Sequence, residues 1–417
     1  MAGLYKAYPE YDSCESLPPS NKPAHWVGMQ VRHALRSASS SGSAIKGTVS
    51  SEPADHLFPA YSASGQDVWT VDWIYNEPGI VLSAVGARCG KTFRAEGKWS
   101  VVANTGVFLL RPKMNRDFFW YVTNDESFWE KGGSAQPYVQ VPSTLAKRIG
   151  VPPLPEQKQI AKFLDHETAK IDLLIAKQQA LIALLKEKRQ AVISHAVTKG
   201  LPSTSSGQGN PNAKMKDSGV EWLDSLPSHW NLIKLSYILK LQSGDGITSN
   251  NIEAVGDYPV YGGNGQRGFT STYNCEGKYV LIGRQGALCG NVNLAENKFF
   301  ASEHAVVVYP RISFDTVYLA EMLRFLDLGQ YSVSAAQPGV SVERLNMLKV
   351  ICPPLDEQRC IAKFVTDEIV KFDELSEHSV NAITLLQERR TALISAAVTG
   401  KIDVRDWEPA PDIKDEL

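Results

Sequence analysis

Two long stretches of the chain carry apolar residues at helical spacing. The first begins at residues 152–157 (PPLPEQ) and continues to about Gly200, with no Pro or Gly after Pro155. Proline in the first turn, Glu156 close behind it and glycine just past the end are typical of helix boundaries. Such a helix would extend about 65 Å at 1.5 Å per residue, so it needs a partner along its length.

The second stretch repeats the first. It begins at residues 353–358 (PPLDEQ) and ends near Gly400, and about half of the positions that align without a gap are identical. A repeat of this kind means that the chain contains the same unit twice. The alternative, that each helix packs separately on its own domain, stays open at this point. A heptad pattern in each copy predicts a coiled-coil seam, formed by Ile160, Leu164, Ile171, Leu174, Leu181, Leu185, Val192, Ile361, Val365, Phe372, Leu375, Leu386 and Leu393.

Charge along the two helices predicts that they run in opposite directions. In each stretch a group of acidic residues precedes a group of basic ones: Asp165, Glu167 and Asp172 before Lys186, Lys188 and Arg189, and Asp367, Glu368, Asp373 and Glu374 before Arg389 and Arg390. Parallel pairing would set like charges side by side, whereas antiparallel pairing sets acidic halves against basic ones. We therefore predict an antiparallel coiled coil with a pseudo-two-fold axis near Gln178 and Ser379. Charge reversal of Lys188 and Arg389 is expected to weaken it.

Short apolar runs broken by Gly, Pro and Asn precede each helix and predict β-rich domains. The repeat extends into them, since PAY at 59–61 aligns with PVY at 259–261 and GARCG at 86–90 with GALCG at 286–290. The fold class is therefore α+β, with two β-rich domains, two long helices and an internal pseudo-two-fold repeat. The predicted segments are a first β-rich domain at 1–150, a first helix at 151–200, a linker at 201–213, a second β-rich domain at 214–350, a second helix at 351–402 and a polar C-terminal tail at 403–417.

Composition narrows the class of protein. The 417 residues have a formal net charge of -2, so any nucleic acid would have to be bound by local patches and not by the whole surface. The six cysteines show no CxxC pair and no zinc spacing, which favours free thiols in a reducing compartment and argues against a metal site. The sequence has no recognisable signal peptide or membrane-length apolar run, so we expect a cytoplasmic protein.

Several motifs occur in a characteristic order along the chain. They are the two PPLxEQ helix openings, KDSGVEWL at 216–223 with PSHW at 227–230, YGGNGQRG at 261–268 and IGRQG at 282–286. Together they resemble the specificity subunit of Type I restriction-modification enzymes over nearly the whole chain. The first half departs from the family pattern at its opening (YDSCESL, 11–17), and it has Asp67 where the second half has Arg267.

The resemblance implies a non-catalytic DNA specificity subunit. Each β-rich domain would be a target recognition domain that reads one half of a bipartite, asymmetric double-stranded DNA target. The helices would fix the spacer and dock two methyltransferase subunits, and restriction/translocase subunits would join the full complex. S-adenosylmethionine, ATP and Mg²⁺ would serve those partner subunits, with no cofactor in this chain. The difference between Asp67 and Arg267 indicates that the two domains contact different bases.

Candidate DNA contacts follow from the chemistry of base edges, which are read by Arg, Lys, Asn and Gln in the major groove. For each candidate, the alternative is an ordinary solvated surface side chain. The candidates are Asn264, Gln266, Arg267 and Arg284 in the second domain and Gln66, Arg88, Lys91 and Arg94 in the first.

The sequence lacks recognisable catalytic motifs. Residues 86–92 (GARCGKT) look like a phosphate-binding loop but have one residue too few between the glycines. We find no dinucleotide fingerprint, no Asn-Pro-Pro-aromatic motif for adenine methylation and no nuclease carboxylate–lysine set, so no catalytic or metal-binding residue is predicted. The competing hypothesis is a coiled-coil adaptor whose two β-rich domains bind protein or carbohydrate and do not bind DNA.

Overall fold

The computed structural model describes residues 5–13, 21–39, 49–201, 214–286, 288–332 and 338–409. The chain divides into two compact units, Met1–Gln178 with Asn381–Leu417 and Gln179–Val380. The first long helix is Leu154–Lys199 and the second is Leu355–Val398. Each unit therefore combines one β-rich domain with the first half of one long helix and the second half of the other.

The first unit is built on a four-stranded antiparallel sheet and a five-stranded mixed sheet. Strands of the first, in spatial order, are Thr92–Ala95, Gly79–Ser83, Thr105–Leu110 and Leu35–Ser39. Strands of the second are Val49–Ser50, Gly65–Thr70, Phe58–Ser62, Lys98–Val101 and Tyr75–Asn76. Short strand pairs join Tyr11–Ser13 to Asn21–Pro23, Val27–Gln30 to Arg148–Val151 and Lys131–Gly132 to Tyr138–Val139. The helices are Val31–Ala34, Arg116–Thr123 and Val141–Ala146, with a 3₁₀ turn at Glu126–Phe128.

The second unit repeats this plan. The strand register Val107↔Val81 recurs as Val307↔Leu281. One sheet contains Val292–Ala295, Tyr279–Gly283, Ala305–Pro310 and Leu239–Ser243, and the other contains Gly265–Thr270, Tyr258–Gly262, Lys298–Ala301 and Cys275–Glu276. Strand pairs join Met215–Val220 to Leu223–Pro227 and Asn231–Lys234 to Lys349–Cys352. The helices are Leu235–Ile238, Thr316–Phe325 and Val342–Met347, with 3₁₀ turns at Ser249–Asn251 and Leu328–Tyr331.

The central strand Gly79–Ser83 is buried on both faces, which explains its continuous apolar sequence. Side chains of a strand alternate between faces. Accordingly, Ile80 shares a core with Phe119 of a helix, while Val81 shares a different core with Trp99 of the second sheet. The same alternation sends Ile282 and Leu281 of the second unit into two different cores.

Within each unit, the start of one long helix packs beside the end of the other. In the first unit Ile160 and Leu164 share a core with Ala397, and in the second unit Val197 shares a core with Ile361. The predicted antiparallel orientation is therefore confirmed.

Ion pairs between the helices recur at equivalent positions of the repeat. Arg390 Nε lies 2.9 Å from Asp172 Oδ1 in the first unit, and Arg189 Nη1 lies 2.7 Å from Asp373 Oδ1 in the second. The sequence predicts this attraction at Lys188 and at Arg389, the residue aligned with it. The side chain of the next residue carries it instead, because successive residues of an α-helix are rotated by about 100°.

The predicted seam is buried only in part. Ile160, Leu164, Ile171, Ile361, Val365, Phe372 and Leu393 are buried, and Leu185, Val192 and Leu386 are partly buried. Leu174, Leu181 and Leu375 differ from the prediction, since they are 47%, 42% and 50% exposed. All of the buried positions except Phe372 share a core with residues of a β-rich domain. A layer of two helices alone covers only residues that point directly at the partner helix.

The glutamate of each PPLxEQ motif connects its helix to a β-rich domain. Glu156 is buried and accepts hydrogen bonds from Tyr8 Oη at 2.7 Å and Trp26 Nε1 at 2.8 Å, and His25 Nε2 lies 2.8 Å from it. In the second unit, Glu357 accepts from Trp230 Nε1 at 2.8 Å, with His229 Nε2 also at 2.8 Å. The sequence showed these residues only as first-turn acids.

The glutamine of the same motif connects the helix to a domain helix. Gln157 Oε1 accepts from the backbone N–H of Asn115 at 2.8 Å, and Asn115 is the N-cap of Arg116–Thr123. Gln358 Oε1 accepts in the same way from Asp315, the N-cap of Thr316–Phe325, at 3.0 Å. Each motif thus fixes its long helix against the domain of the same unit.

The C-terminal tail begins later than the sequence indicated. Val404 is buried in the core of the first unit, and the Trp407 ring contacts the ring of Phe163. The backbone N–H of Asp403 donates to Lys6 O at 2.7 Å. The predicted linker residues 202–213 and the tail residues 410–417 lie outside the described residues. Across the described residues, no helix is both long and apolar enough to cross a membrane.

Candidate nucleic-acid interface

In the second unit, a hairpin turn lies directly against a glycine-containing loop. The turn joins Tyr258–Gly262 to Gly265–Thr270, and the loop follows the strand Tyr279–Gly283. A side chain at Gly283 would overlap the backbone of Gly263, and one at Gly263 would overlap the backbone of Gln285. Glycine is therefore required by the close approach of two backbone segments.

Hydrogen bonds hold the loop backbone on both sides. Arg284 N–H donates to His304 O at 2.8 Å, and Val340 N–H donates to Arg284 O at 2.9 Å. Gly286 N–H donates to Pro338 O at 3.0 Å. Side chains on this loop consequently project from a fixed backbone, which favours specific recognition.

The turn and loop bring together the candidate side chains of the second domain. Asn264 Oδ1 accepts from Asn291 Nδ2 at 2.9 Å, and Arg284 Nη1 donates to Ser243 Oγ at 3.3 Å. Gln266 and Arg267 are exposed on the strand that leaves the turn. Three of the four candidates thus lie on the turn and its outgoing strand, and Arg284 lies in the adjacent loop with its side chain bonded to Ser243.

The first unit has the same frame with different side chains. Ala84 N–H donates to Asn104 O at 2.9 Å, which corresponds to the bond between Arg284 and His304. Arg88 Nη1 donates to Ser64 O of the hairpin turn at 3.2 Å. Lys91 N–H donates to Arg88 O at 3.1 Å, so Lys91 lies in the same loop.

Gln66 completes this surface of the first unit. Its side chain is exposed on the strand that leaves the turn, and its Nε2 donates to Val68 O at 3.4 Å. Within the described part of the chain, Arg88, Lys91 and Arg267 form no ion pair with a carboxylate. These cations are therefore available to an anionic ligand even though the chain as a whole is slightly acidic.

Arg94 does not join this surface. Its Nη1 lies 2.9 Å from Asp165 of the first long helix and 3.3 Å from Asp117, and its guanidinium lies 4.3 Å from the centre of the Trp120 ring. Burial lowers the pKa of Arg94, but the hydrogen bond and charge of Asp165 outweigh it and the net shift is upward. The strand alternation explains the placement, because the neighbouring Phe93 faces the hairpin turn at Gly65 and Arg94 faces the opposite side.

Sequence reasoning missed three polar residues of the second unit. Gln285 and His304 contact each other at 3.0 Å beside the turn, and Asn291 contacts Asn264. Their aligned positions in the first half carry Val85, Asn104 and Lys91. At these loop positions the residue type changes between the two halves while the surrounding glycines stay. That difference is the sequence signal that could have identified the three residues.

Among the described residues, no group of three or more His, Cys, Asp or Glu side chains could hold a metal ion.

Comparison with known proteins identifies relatives in both halves of the chain. A family model described as "Type I restriction modification DNA specificity domain" matches residues 62–183 and 227–385. The specificity subunit of the type I restriction enzyme EcoprrI of Escherichia coli is 41% identical over 156 residues, which is 36% of this chain and 36% of that protein. The MjaVIII specificity subunit of Methanocaldococcus jannaschii is 23% identical over 367 residues, which is 80% of this chain and 81% of that protein.

Solved structures share the fold. A chain from the work described as "Structural basis underlying complex assembly and conformational transition of the type I R-M system" superposes with a TM-score of 0.70 at 13% identity. That match covers 91% of this chain and 99% of the other. The HsdS subunit of Thermoanaerobacter tengcongensis gives a TM-score of 0.53 at 15% identity and covers 93% of this chain and 100% of its own. Because the family model spans more than half of the sequence in two segments that fall one in each half of the repeat, the chain belongs to the type I restriction-modification DNA specificity family.

Proposed function

We propose that each unit reads one half of a bipartite, asymmetric DNA target and that the chain directs methyltransferase subunits to it. The observation that carries this proposal is the turn–loop surface, which has the same backbone frame in both units and different polar side chains. A constant frame with variable Arg, Lys, Asn and Gln side chains is suited to reading base edges in the major groove. The uncompensated cations Arg88, Lys91 and Arg267 would contribute contacts with phosphate or base acceptors.

Two equivalent leucine pairs support docking of two methyltransferase subunits on the helices. Leu385 and Leu174 are 65% and 47% exposed in the first unit, and Leu184 and Leu375 are 61% and 50% exposed in the second. In the repeat, Leu184 aligns with Leu385 and Leu174 with Leu375. Contiguous exposed apolar patches often mark protein interaction sites, and we propose that each leucine pair forms part of one. The same pair in each unit fits two copies of one partner.

This chain would recognise the DNA sequence, and its partner subunits would catalyse the reactions on the DNA. Methyl transfer would use S-adenosylmethionine bound by the methyltransferase subunits. Restriction/translocase subunits would use ATP and Mg²⁺.

Methylome sequencing tests the proposal directly. The chain is co-expressed with its methyltransferase subunit in a host that has no DNA methylation of its own. We expect a methylated motif with two defined halves and a fixed gap. Absence of methylation that depends on this chain, with a soluble complex formed, would refute the proposal. Absence of both DNA binding and complex formation would support the adaptor hypothesis.

Arg267→Ala tests the turn–loop surface. If Arg267 reads a base, site-specific methylation is lost or the motif is relaxed at one position of one half. If it contacts a phosphate, the motif is kept and the slope of log affinity against log salt falls by about 0.9. Lys401→Ala, which removes one exposed positive charge three residues past the second helix, is the matched control. A variant indistinguishable from that control would remove Arg267 from the interface.

Deletion of one helical turn tests the helices as a spacer. Removing residues 179–182 and the aligned residues 380–383 shortens each helix by about 6 Å. This corresponds to about two base pairs at 3.4 Å each. We expect an altered gap between unchanged half-sites. An unchanged gap in an active complex would refute the spacer role.

A further inference from the structure

Gln285 and His304 of the second unit form a short polar chain beside the hairpin turn. His304 Nδ1 lies 3.0 Å from Gln285 Oε1, and His304 Nε2 lies 3.3 Å from Glu303 Oε1. The second oxygen of Glu303 accepts from the backbone N–H of Ile247 at 3.3 Å. His304 therefore lies between Glu303 and the carboxamide oxygen of Gln285.

The backbone that carries Gln285 is held from three directions. Arg284, directly before it, is bonded to His304 O and to the N–H of Val340. Gln285 itself pairs with Gly339, and its carbonyl lies against Gly263 of the hairpin turn. The Gln285 side chain is nevertheless exposed. A polar side chain on so constrained a backbone is positioned before any ligand arrives.

The first unit provides an internal comparison. Its backbone makes the equivalent bonds, from Ala84 N–H to Asn104 O and from Val139 N–H to Ala84 O, and Val85 pairs with Tyr138. Valine replaces the glutamine and asparagine replaces the histidine at the aligned positions. The backbone hydrogen bonds are the same in both units while the side chains differ, as expected at a position that determines specificity.

We propose that Gln285 is a base-reading residue of the second domain and that His304 is its positioning residue. The inference rests on the proposed function. When His304 Nδ1 donates to Oε1, both Nε2 hydrogens of Gln285 are left for a ligand. These donors fit an acceptor on a base edge in the major groove, such as N7 of a purine, O6 of guanine or O4 of thymine. They do not fit the N4 amino group of cytosine.

The test introduces into the second unit the residues that the first unit already carries. Gln285→Val in the full chain, co-expressed with the methyltransferase subunit, should reduce discrimination at one base of one half-site by roughly 2- to 13-fold, the effect of one hydrogen bond. His304→Asn should relax the same base, because it acts through Gln285. The double variant should then be no more relaxed than Gln285→Val alone. The half-site read by the first unit is the internal control and should keep its sequence.

Three results would overturn the assignment. They are an unchanged motif and rate in Gln285→Val, relaxation of different bases by the two single variants, and an equal loss at every position of both half-sites. Gln285→Glu is a second variant of the same shape that replaces the donors with an acceptor, and it should disfavour the original base. A wild-type complex that writes no bipartite methylation would instead refute the proposed function, and that outcome is distinct from an unchanged motif in the variants.

Discussion

Loss of the buried acceptor at Glu156 is expected to destabilise the first unit more than the matched change at Glu357 destabilises the second. Tyr8 and Trp26 are 3% and 2% exposed, and both donate to Glu156. A buried donor left without an acceptor costs about 1–3 kcal/mol. Glu156→Ala leaves two such donors, so the expected loss is about 2–6 kcal/mol.

Glu357→Ala leaves only one buried donor. Trp230 is fully buried, whereas the side chain of His229 is 42% exposed and can bond to water. The expected loss is therefore about 1–3 kcal/mol. Glu156→Gln, which keeps one acceptor oxygen, should fall between Glu156→Ala and wild type.

Hydrogen exchange read by mass spectrometry is the suitable assay, because a chain of two units need not unfold in one step. Peptides from residues 5–13 and 21–30 report on the first unit, and peptides from residues 223–234 report on the second. Glu156→Ala should lower protection in the first set and leave the second set unchanged. Losses of less than about 0.5 kcal/mol, a size typical of unconnected surface substitutions, would refute the reasoning.

Three further predictions follow from contacts of the long helices and of the first unit. Asp172→Arg or Arg390→Asp alone should lower the free energy of unfolding by about 0.2–1 kcal/mol in low salt, and the double variant should recover most of that loss. A loss that does not depend on salt concentration would contradict the ion pair. Burial, and then the hydrogen bond to Glu156, raises the pKa of Tyr8. Above pH 10 the native state therefore keeps the phenolic proton of Tyr8, whereas the unfolded chain loses it. The contribution of Tyr8 to the free energy of unfolding is fully present below pH 10 and falls as the pH rises further. Tyr8→Phe should flatten that fall in pH-dependent unfolding, and an unchanged slope would contradict it. Arg94→Ala should lower the unfolding temperature of the first unit and leave the methylation motif unchanged, since Arg94 contacts Asp165 and Trp120; an altered motif would return it to the interface.

The candidate site could be predicted only in part. Glycine-rich loops indicated the segments that the structure brings together in both halves, because close backbone approach requires glycine wherever it occurs. The strand containing Arg94 also looked suitable, but one step of alternation turns its side chain toward the first long helix. Gln285 and His304 were missed because they are 19 residues apart and meet only through strand pairing.

The sequence by itself determined the duplication, the α+β class and the direction of the helices. Repeated motifs and the sign of charge along a helix are local properties, and they can be read without knowing any contact. Only the tertiary structure decided which charged residues form ion pairs, such as Arg390 with Asp172, and which seam residues are left exposed. It also gave the PPLxEQ motif its role, since Glu156 and Gln157 bond to residues more than 40 positions away. Burial and hydrogen-bond partners depend on how segments distant in sequence pack together, and no local pattern contains that information.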